Sequence, residues 1–164
     1  MNTDIDRNSL EVLAPSDCRT LLAGHGLGRV SVSIGALPVI LPVTYRLAGE
    51  WIVIVTTPGT KLEAALPNAV VAFEVDDIDE AAGMGWSVMV TGVAEEITDE
   101  EELGWARDLE LHSWDGCRGT RFVRIGCLEP SGCRVMSPTD GPGPLPHRVI
   151  AERSISADGQ RLDS

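Results

Sequence analysis

From Gly28 to Thr56 the chain reads GRVSVSIGALPVILPVTYRLAGEWIVIVT, three stretches of β-forming residues separated by very short polar or Gly-containing joints. This succession limits the fold more than any other feature. Joints so short leave no room for a crossover helix, so neighbouring strands run antiparallel. Val30 and Val32 alternate with Ser31 and Ser33, the period of a strand with one solvated face. IGAL is the first turn, and Leu47 to Glu50 form the second. WIVIVT, from Trp51 to Thr56, is apolar until its last residue, which predicts a strand covered on both faces.

The pattern continues. NAVVAFEVD predicts a fourth strand, DIDEAAGMG an acidic turn, and GWSVMVTGVAEEIT a long fifth strand with Gly92 as a bulge or bend. TRFVRIGCLEPSGCRVM reads as one or two strands, interrupted at Glu129 to Gly132. Helices are few. PSDCRTLLAGHG predicts a short one with Ser16 as N-cap, ended by glycines from Gly24 onward. DEEELGWARDLELH predicts another, with acid in its first turn to complement the helix dipole. Many short strands with tight turns point to a closed or nearly closed antiparallel barrel. After Met136 the chain turns Pro/Gly-rich and then polar. Residues 1–136 are therefore expected to form the domain and 137–164 a tail outside it.

Charge narrows the partners. The formal net charge is -12. A nucleic-acid binder needs a basic face, and an anionic membrane surface would repel this chain. No apolar run approaches the ~20 residues of a bilayer span. The N-terminus MNTDIDRNSLEVLAPSD has no apolar core of a signal peptide. Cys18, Cys117, Cys127 and Cys133 show no C-x-x-C spacing, so reduced thiols in a cytoplasmic protein are expected, without a zinc site.

One basic residue stands out. Of 13 Lys and Arg side chains, the only lysine is Lys61, within TTPGTKLEAAL. Two readings meet here. In the first, Thr60-Lys61-Leu62-Glu63 is a capping box, with Glu63 reaching back to the helix start and Leu62, Ala65 and Leu66 facing the core. The dipole mildly disfavours a cation at that position. In the second, unpaired backbone N–H groups, the hydroxyls of Thr56, Thr57 and Thr60 and the Lys61 ammonium form a phosphate cradle, and a bound phosphate removes the penalty on Lys61.

The segments LLAGHGLGRVSVS, LPVILPVTYRLAGEWIVIVTTPGTKLEAAL, VVAFEVDDID, GWSVMVTGVAEEITD, RFVRI and SGCRV occur here in that order. Together they resemble the flavin-binding split-barrel proteins related to pyridoxamine 5'-phosphate oxidase, from about Ser16 to Met136. The resemblance implies a mainly β chain: a six-stranded antiparallel split β-barrel with short flanking helices. It also implies a homodimer with flavin mononucleotide (FMN) at the subunit interface. Thr56, Thr57, Thr60 and Lys61 then hold the flavin phosphate. Val43 and Thr44 run beside the ring, and Trp86 and Ser87 approach from the facing side. The last strand departs from the family, with Gly132-Cys133-Arg134-Val135 in place of a Gly-Arg-Arg-Ile type ending. The basic C-terminal substrate site of pyridoxamine phosphate oxidases proper has no counterpart in the sequence, so that activity is not expected.

The resemblance thus implies an FMN-dependent oxidoreductase acting on an unknown small molecule, with the redox chemistry led by the cofactor and no catalytic acid or base evident. The alternatives are a non-catalytic flavin- or ligand-binding protein, or a reductase using the deazaflavin coenzyme. The latter's long acidic tail suits a -12 chain poorly. A haem would need an axial ligand, for which His25 is the candidate. The remaining polar residues have plainer readings. His25 caps a helix, Asp76, Asp77, Asp79 and Glu80 form a solvated turn without calcium-loop order, and Arg124 makes a rim salt bridge or supports charge at the site. His112, Ser113 and Asp115 lack a nucleophile elbow and form no triad. Trp114 is a candidate lid over the cofactor, and Trp51 and Trp105 belong to core or interface.

Overall fold

The computed structural model describes residues 10–59, 63, 66–112 and 121–135. Among the described residues, eight strands and two complete helices follow in chain order: β1 (Leu10–Val12), α1 (Pro15–Ala23), β2 (Leu27–Ile34), β3 (Leu37–Ala48), β4 (Trp51–Thr56), β5 (Val70–Asp79), β6 (Met84–Glu96), α2 (Glu100–Asp108), β7 (Arg121–Gly126) and β8 (Ser131–Val135). The strand order is β1-β8-β6-β5-β2-β3-β4-β7, and β7 pairs back onto β6. Every pairing is antiparallel. Six strands, β6-β5-β2-β3-β4-β7, thus close into a ring. The long β6 makes the split: its start pairs with β8, Gly85 opposite Val135, and its end with β7, Glu96 opposite Val123. The expected six-stranded split barrel is present, with β8 and β1 continuing the sheet beside the first half of β6.

The turns follow local chemistry. Gly35 and Ala36 both take positive φ, 56° and 65°, the backbone of a tight hairpin, so the β2–β3 turn is Gly35-Ala36 within IGAL. β3 runs on to Ala48, and the next turn narrows to Gly49 and Glu50. Two expectations, the Ser16 cap and a bulge at Gly92, fail on backbone grounds. Ser16 does not cap α1: Ala14 is the N-cap, no side chain caps it, and Pro15 opens the helix, where its missing N–H costs nothing. Gly92 makes no bulge in the β5–β6 ladder, where it sits opposite Val71. It is small because a Cβ there would lie 3.2 Å from the Gly126 carbonyl as β6 crosses toward β7. α2 carries the expected acid in its first turn, and Asp99 caps it, accepting from the Glu101 and Glu102 amides at 3.0 and 3.1 Å.

The core has two parts. The barrel interior holds Val30, Val32, Tyr45, Ile52, Ile54, Phe73, Val88, Val90 and Ile125, with Cys18 and Leu22 of α1 closing one end. The second cluster lies on the other side of β4: Val53, Val55 and Phe122 pack against Ala106 of α2 and Ile97. β4 is therefore buried on both faces, as WIVIVT predicts. Among the described residues no helix is long and apolar enough to cross a membrane.

Candidate functional site

The end of β4 is the first feature to explain. Thr56 is its last residue and pairs directly with Arg121, the first of β7. Side chains opposite each other in an antiparallel ladder share a face. Thr56 is 2% exposed, and its Oγ1 is the one buried side-chain polar atom without a hydrogen-bond partner among the described residues. Leaving such a group unpaired costs about 1–3 kcal/mol. Folded chains rarely keep one without a reason.

Charged and polar groups gather beside it. Gly59, at φ 80°, turns the chain so that its amide donates to Glu63 Oε2 at 2.6 Å. The other oxygen of Glu63 accepts from Arg121 Nε at 2.8 Å, and Arg121 Nη1 lies 3.4 Å from Glu96 Oε1. Glu63 does reach back as a capping glutamate should, but to Gly59. The part of the expected cap that falls on Thr60, and Thr60, Lys61, Leu62 and Ala65 themselves, lie outside the described residues. Thr57 follows Thr56 half-buried at the start of the turn. The β3–β4 ladder begins with Tyr45 opposite Ile54, so Val43 and Thr56 each lie two residues beyond that rung. Val43 faces the core, whereas Thr44 points out and its hydroxyl donates to the His112 carbonyl.

Trp86 and Ser87 sit elsewhere, at the start of β6. Thr44 and Ser87 lie on the same outer face, three strands apart through β2 and β5, or roughly 14 Å. The six expected residues that are described thus form two groups within one chain. Trp86 is half-buried against the barrel core and meets the His25 ring edge-on, 4.8 Å between centroids. His25 Nδ1–H donates to the Leu21 carbonyl at 2.8 Å, so this histidine caps α1. Beside Ser87, whose Oγ is 3.6 Å from Cys133 Sγ, opens a cavity of about 340 Å³. Its walls are mostly apolar and include Ile78, Met84, Trp86, Cys133 and Val135.

The other candidates resolve into structure. Arg124 bonds Glu95 at 3.0 Å and Glu102 at 2.7 Å and lies over the Trp51 ring, pinning α2 to the sheet. The hydrogen bond to Glu102 raises its pKa above the ordinary value. Asp76 and Glu74 pair with Arg29, Asp79 accepts from the Ala82 amide, and no group of metal-ligating side chains forms among the described residues. Cys18 and Cys127 are free thiols whose pKa values burial pushes up. Cys117 and Trp114 lie outside the described residues. The sequence reading missed Arg121. Its only signal was position, a cation opening a strand after a loop, and its meaning depends on which strand lies opposite.

A family model for pyridoxamine 5'-phosphate oxidase matches residues 14–134. An uncharacterized protein of Mycobacterium tuberculosis is 33% identical over 127 residues, which are 74% of this chain and 83% of that protein. The FAD binding protein from Mycobacterium smegmatis superposes with a TM-score of 0.65 at 33% identity, covering 76% of this chain and 97% of that one. A FAD-binding protein from Mesorhizobium loti, 22% identical, has a TM-score of 0.63, covers 77% of this chain and 97% of its own, and shares the fold.

Proposed function

The chain belongs to the pyridoxamine 5'-phosphate oxidase family, and on that premise we propose that it binds a flavin nucleotide in a homodimer and serves as a flavin-dependent oxidoreductase for a small molecule. The observation that carries the reading is the buried, unpartnered hydroxyl of Thr56, beside a turn that already holds one carboxylate. A phosphate oxygen there would satisfy it. In this proposal Thr56, Thr57, Thr60 and Lys61 hold the phosphate. Val43 and Thr44 flank the ring through their backbone, because the Val43 side chain faces the core and the Thr44 hydroxyl is engaged with His112.

The separation of Trp86 and Ser87 from that group fits a site completed by a second copy. The outer sheet face supports one. Val12, Ile40, Val70, Met89 and Val93 project from it, 80%, 66%, 71%, 47% and 46% exposed. An apolar face of this kind marks an association surface. The apolar cavity beside Trp86 offers a flat ring an aromatic and aliphatic wall. A bound flavin supplies two-electron chemistry, while this chain binds, orients and shields it. FMN is the first candidate, and the name of the M. smegmatis relative makes FAD the second.

The test is an absorbance titration of purified protein with FMN and with FAD, using Lys61→Ala alongside. Flavin bands shifted by the wild-type protein, and weak uptake by the variant, support the reading. Absence of uptake by the wild type removes it. Mixing the loaded protein anaerobically with NADH or NADPH, then with an acceptor, separates the readings: rapid bleaching and reoxidation mark an oxidoreductase, and flavin silent to every donor marks a binder.

A further inference from the structure

We propose that Arg121 is an anion ligand, its guanidinium joining the Thr56 hydroxyl in holding the phosphate of a phosphate-bearing flavin. The assignment rests on the flavin reading and extends it to a residue on the facing strand, 65 positions along the chain from Thr56.

The plain alternative is a solvated ion pair. Arg121 is 49% exposed and its carboxylate partners are Glu63 and Glu96, and pairs of that kind contribute little to stability. Comparison with the other paired arginines favours a ligand. Arg29 and Arg134 are also exposed and paired, on the outer sheet face and at the β1–β8 edge. Arg124 is spent on Trp51 and α2. Only Arg121, among the ion-paired arginines described, sits opposite a buried polar atom that lacks a partner.

The geometry of the pairing matters. A guanidinium carries five N–H donors. Glu63 engages Nε and Glu96 faces Nη1, which leaves the Nη2 pair and one Nη1 hydrogen for an incoming anion. Glu63 is held in turn by the Gly59 amide, so one carboxylate fixes the guanidinium against the Thr56–Gly59 turn. Glu63 is thus a positioning residue and Arg121 the ligand. The two carboxylates outweigh the arginine's single charge, so only an anion that makes several charge-assisted bonds at once overcomes their repulsion. A phosphate oxygen trio meets that demand better than a single carboxylate or chloride.

Riboflavin, FMN and FAD share the ring and differ in phosphate, which makes them the probes. Binding of each is titrated by flavin fluorescence to wild-type protein, Arg121→Gln and Arg121→Lys. The expected result is that Arg121→Gln weakens FMN or FAD by about tenfold to a hundredfold, the loss of one charge-assisted contact. Riboflavin binding stays within twofold or so, since no phosphate is there to lose. Arg121→Lys recovers part of the loss, because it keeps the charge and loses the fork. A greater loss for FMN puts a terminal phosphate at Arg121, and a greater loss for FAD puts a diphosphate there. A general folding defect would weaken all three ligands together and would overturn the assignment. So would an unchanged ratio of FMN to riboflavin affinity, which leaves the flavin reading standing. Wild-type protein that binds none of the three removes both.

Discussion

The phenol of Tyr45 donates to the Leu22 carbonyl at 2.7 Å, joining β3 to the last turn of α1. Tyr45 and Leu22 are both fully buried. The Leu22 carbonyl belongs to the end of a helix, where the last four carbonyls have no intrahelical donor. One hydroxyl therefore closes the helix and anchors it over the open end of the barrel.

Tyr45→Phe keeps the ring against Phe73, its edge-to-face partner at 4.8 Å, and removes only that donor. The expected loss is about 1–2 kcal/mol, measured by urea denaturation at neutral pH. Alkali gives a second reading. Burial raises the Tyr45 pKa above its ordinary 10.0, so the fold favours the neutral phenol. Its contribution is complete below pH 10.0 and is lost as pH rises further. Cys18 and Cys127, raised from 9.0, act in the same direction from a lower starting point. Wild-type stability should fall more steeply above pH 10 than that of Tyr45→Phe. Parallel curves for the two proteins would refute the assignment.

Two glycines test packing against propensity. A Cβ on Gly28 would lie 2.5 Å from Phe73 Cζ and 2.9 Å from the Glu74 carbonyl. Gly28→Ala should destabilise by about 2–3 kcal/mol, since backbone on one side cannot yield. A Cβ on Gly104, within α2, meets nothing within 4 Å. Gly104→Ala should stabilise by about 0.5–1 kcal/mol through helix propensity. Thermal melts of the two variants must move in opposite directions. A shared direction contradicts the packing described.

Arg124 stacks 4.5 Å from the centroid of Trp51 and also bonds Glu95 and Glu102. It is 22% exposed, so solvent screens these contacts only in part. Arg124→Met should cost about 1–2 kcal/mol, and a double-mutant cycle with Trp51→Leu should show a coupling of about 0.5–1 kcal/mol. Amide exchange should rise first in α2, whose Glu102 loses its tie to the sheet. Coupling near zero would make the stacked geometry incidental.

How much of this could be read beforehand depended on range. β2 through β6 were legible because each carries its own period and its own turn, and WIVIVT announced two buried faces before any partner was known. β1 was not legible: Leu10–Val12 is three residues long, exposed throughout, and a strand only because β8 lies beside it. Ser16 misled because cap preference is a local rule and Pro15 already satisfied the helix start by another route. At the site, the threonines of the TTPG turn could be named from local chemistry. Arg121 could not, since the β4–β7 register that sets it against Thr56 is a long-range fact no local period encodes.

The outer sheet face gives the last prediction. Val12, Cys133 and Ser87 stand in one row across β1, β8 and β6, with Met89 two residues further along β6. Val12 is 80% exposed and Met89 47%, so neither supports the barrel interior. If this face joins two copies, Val12→Glu with Met89→Glu places like charges opposite each other in a chain already at -12. Unpaired buried charges cost several kcal/mol each at an interface, ample to dissociate a micromolar or nanomolar dimer. Sedimentation should show a dimer for the wild type and a monomer for the double variant, with unchanged circular dichroism. Flavin uptake should fall with it, because the group at Thr56 and the group at Trp86 then no longer meet across subunits. A double variant that stays dimeric would move the interface off this face. A monomer that binds flavin as tightly as the wild type would place the whole site within one chain.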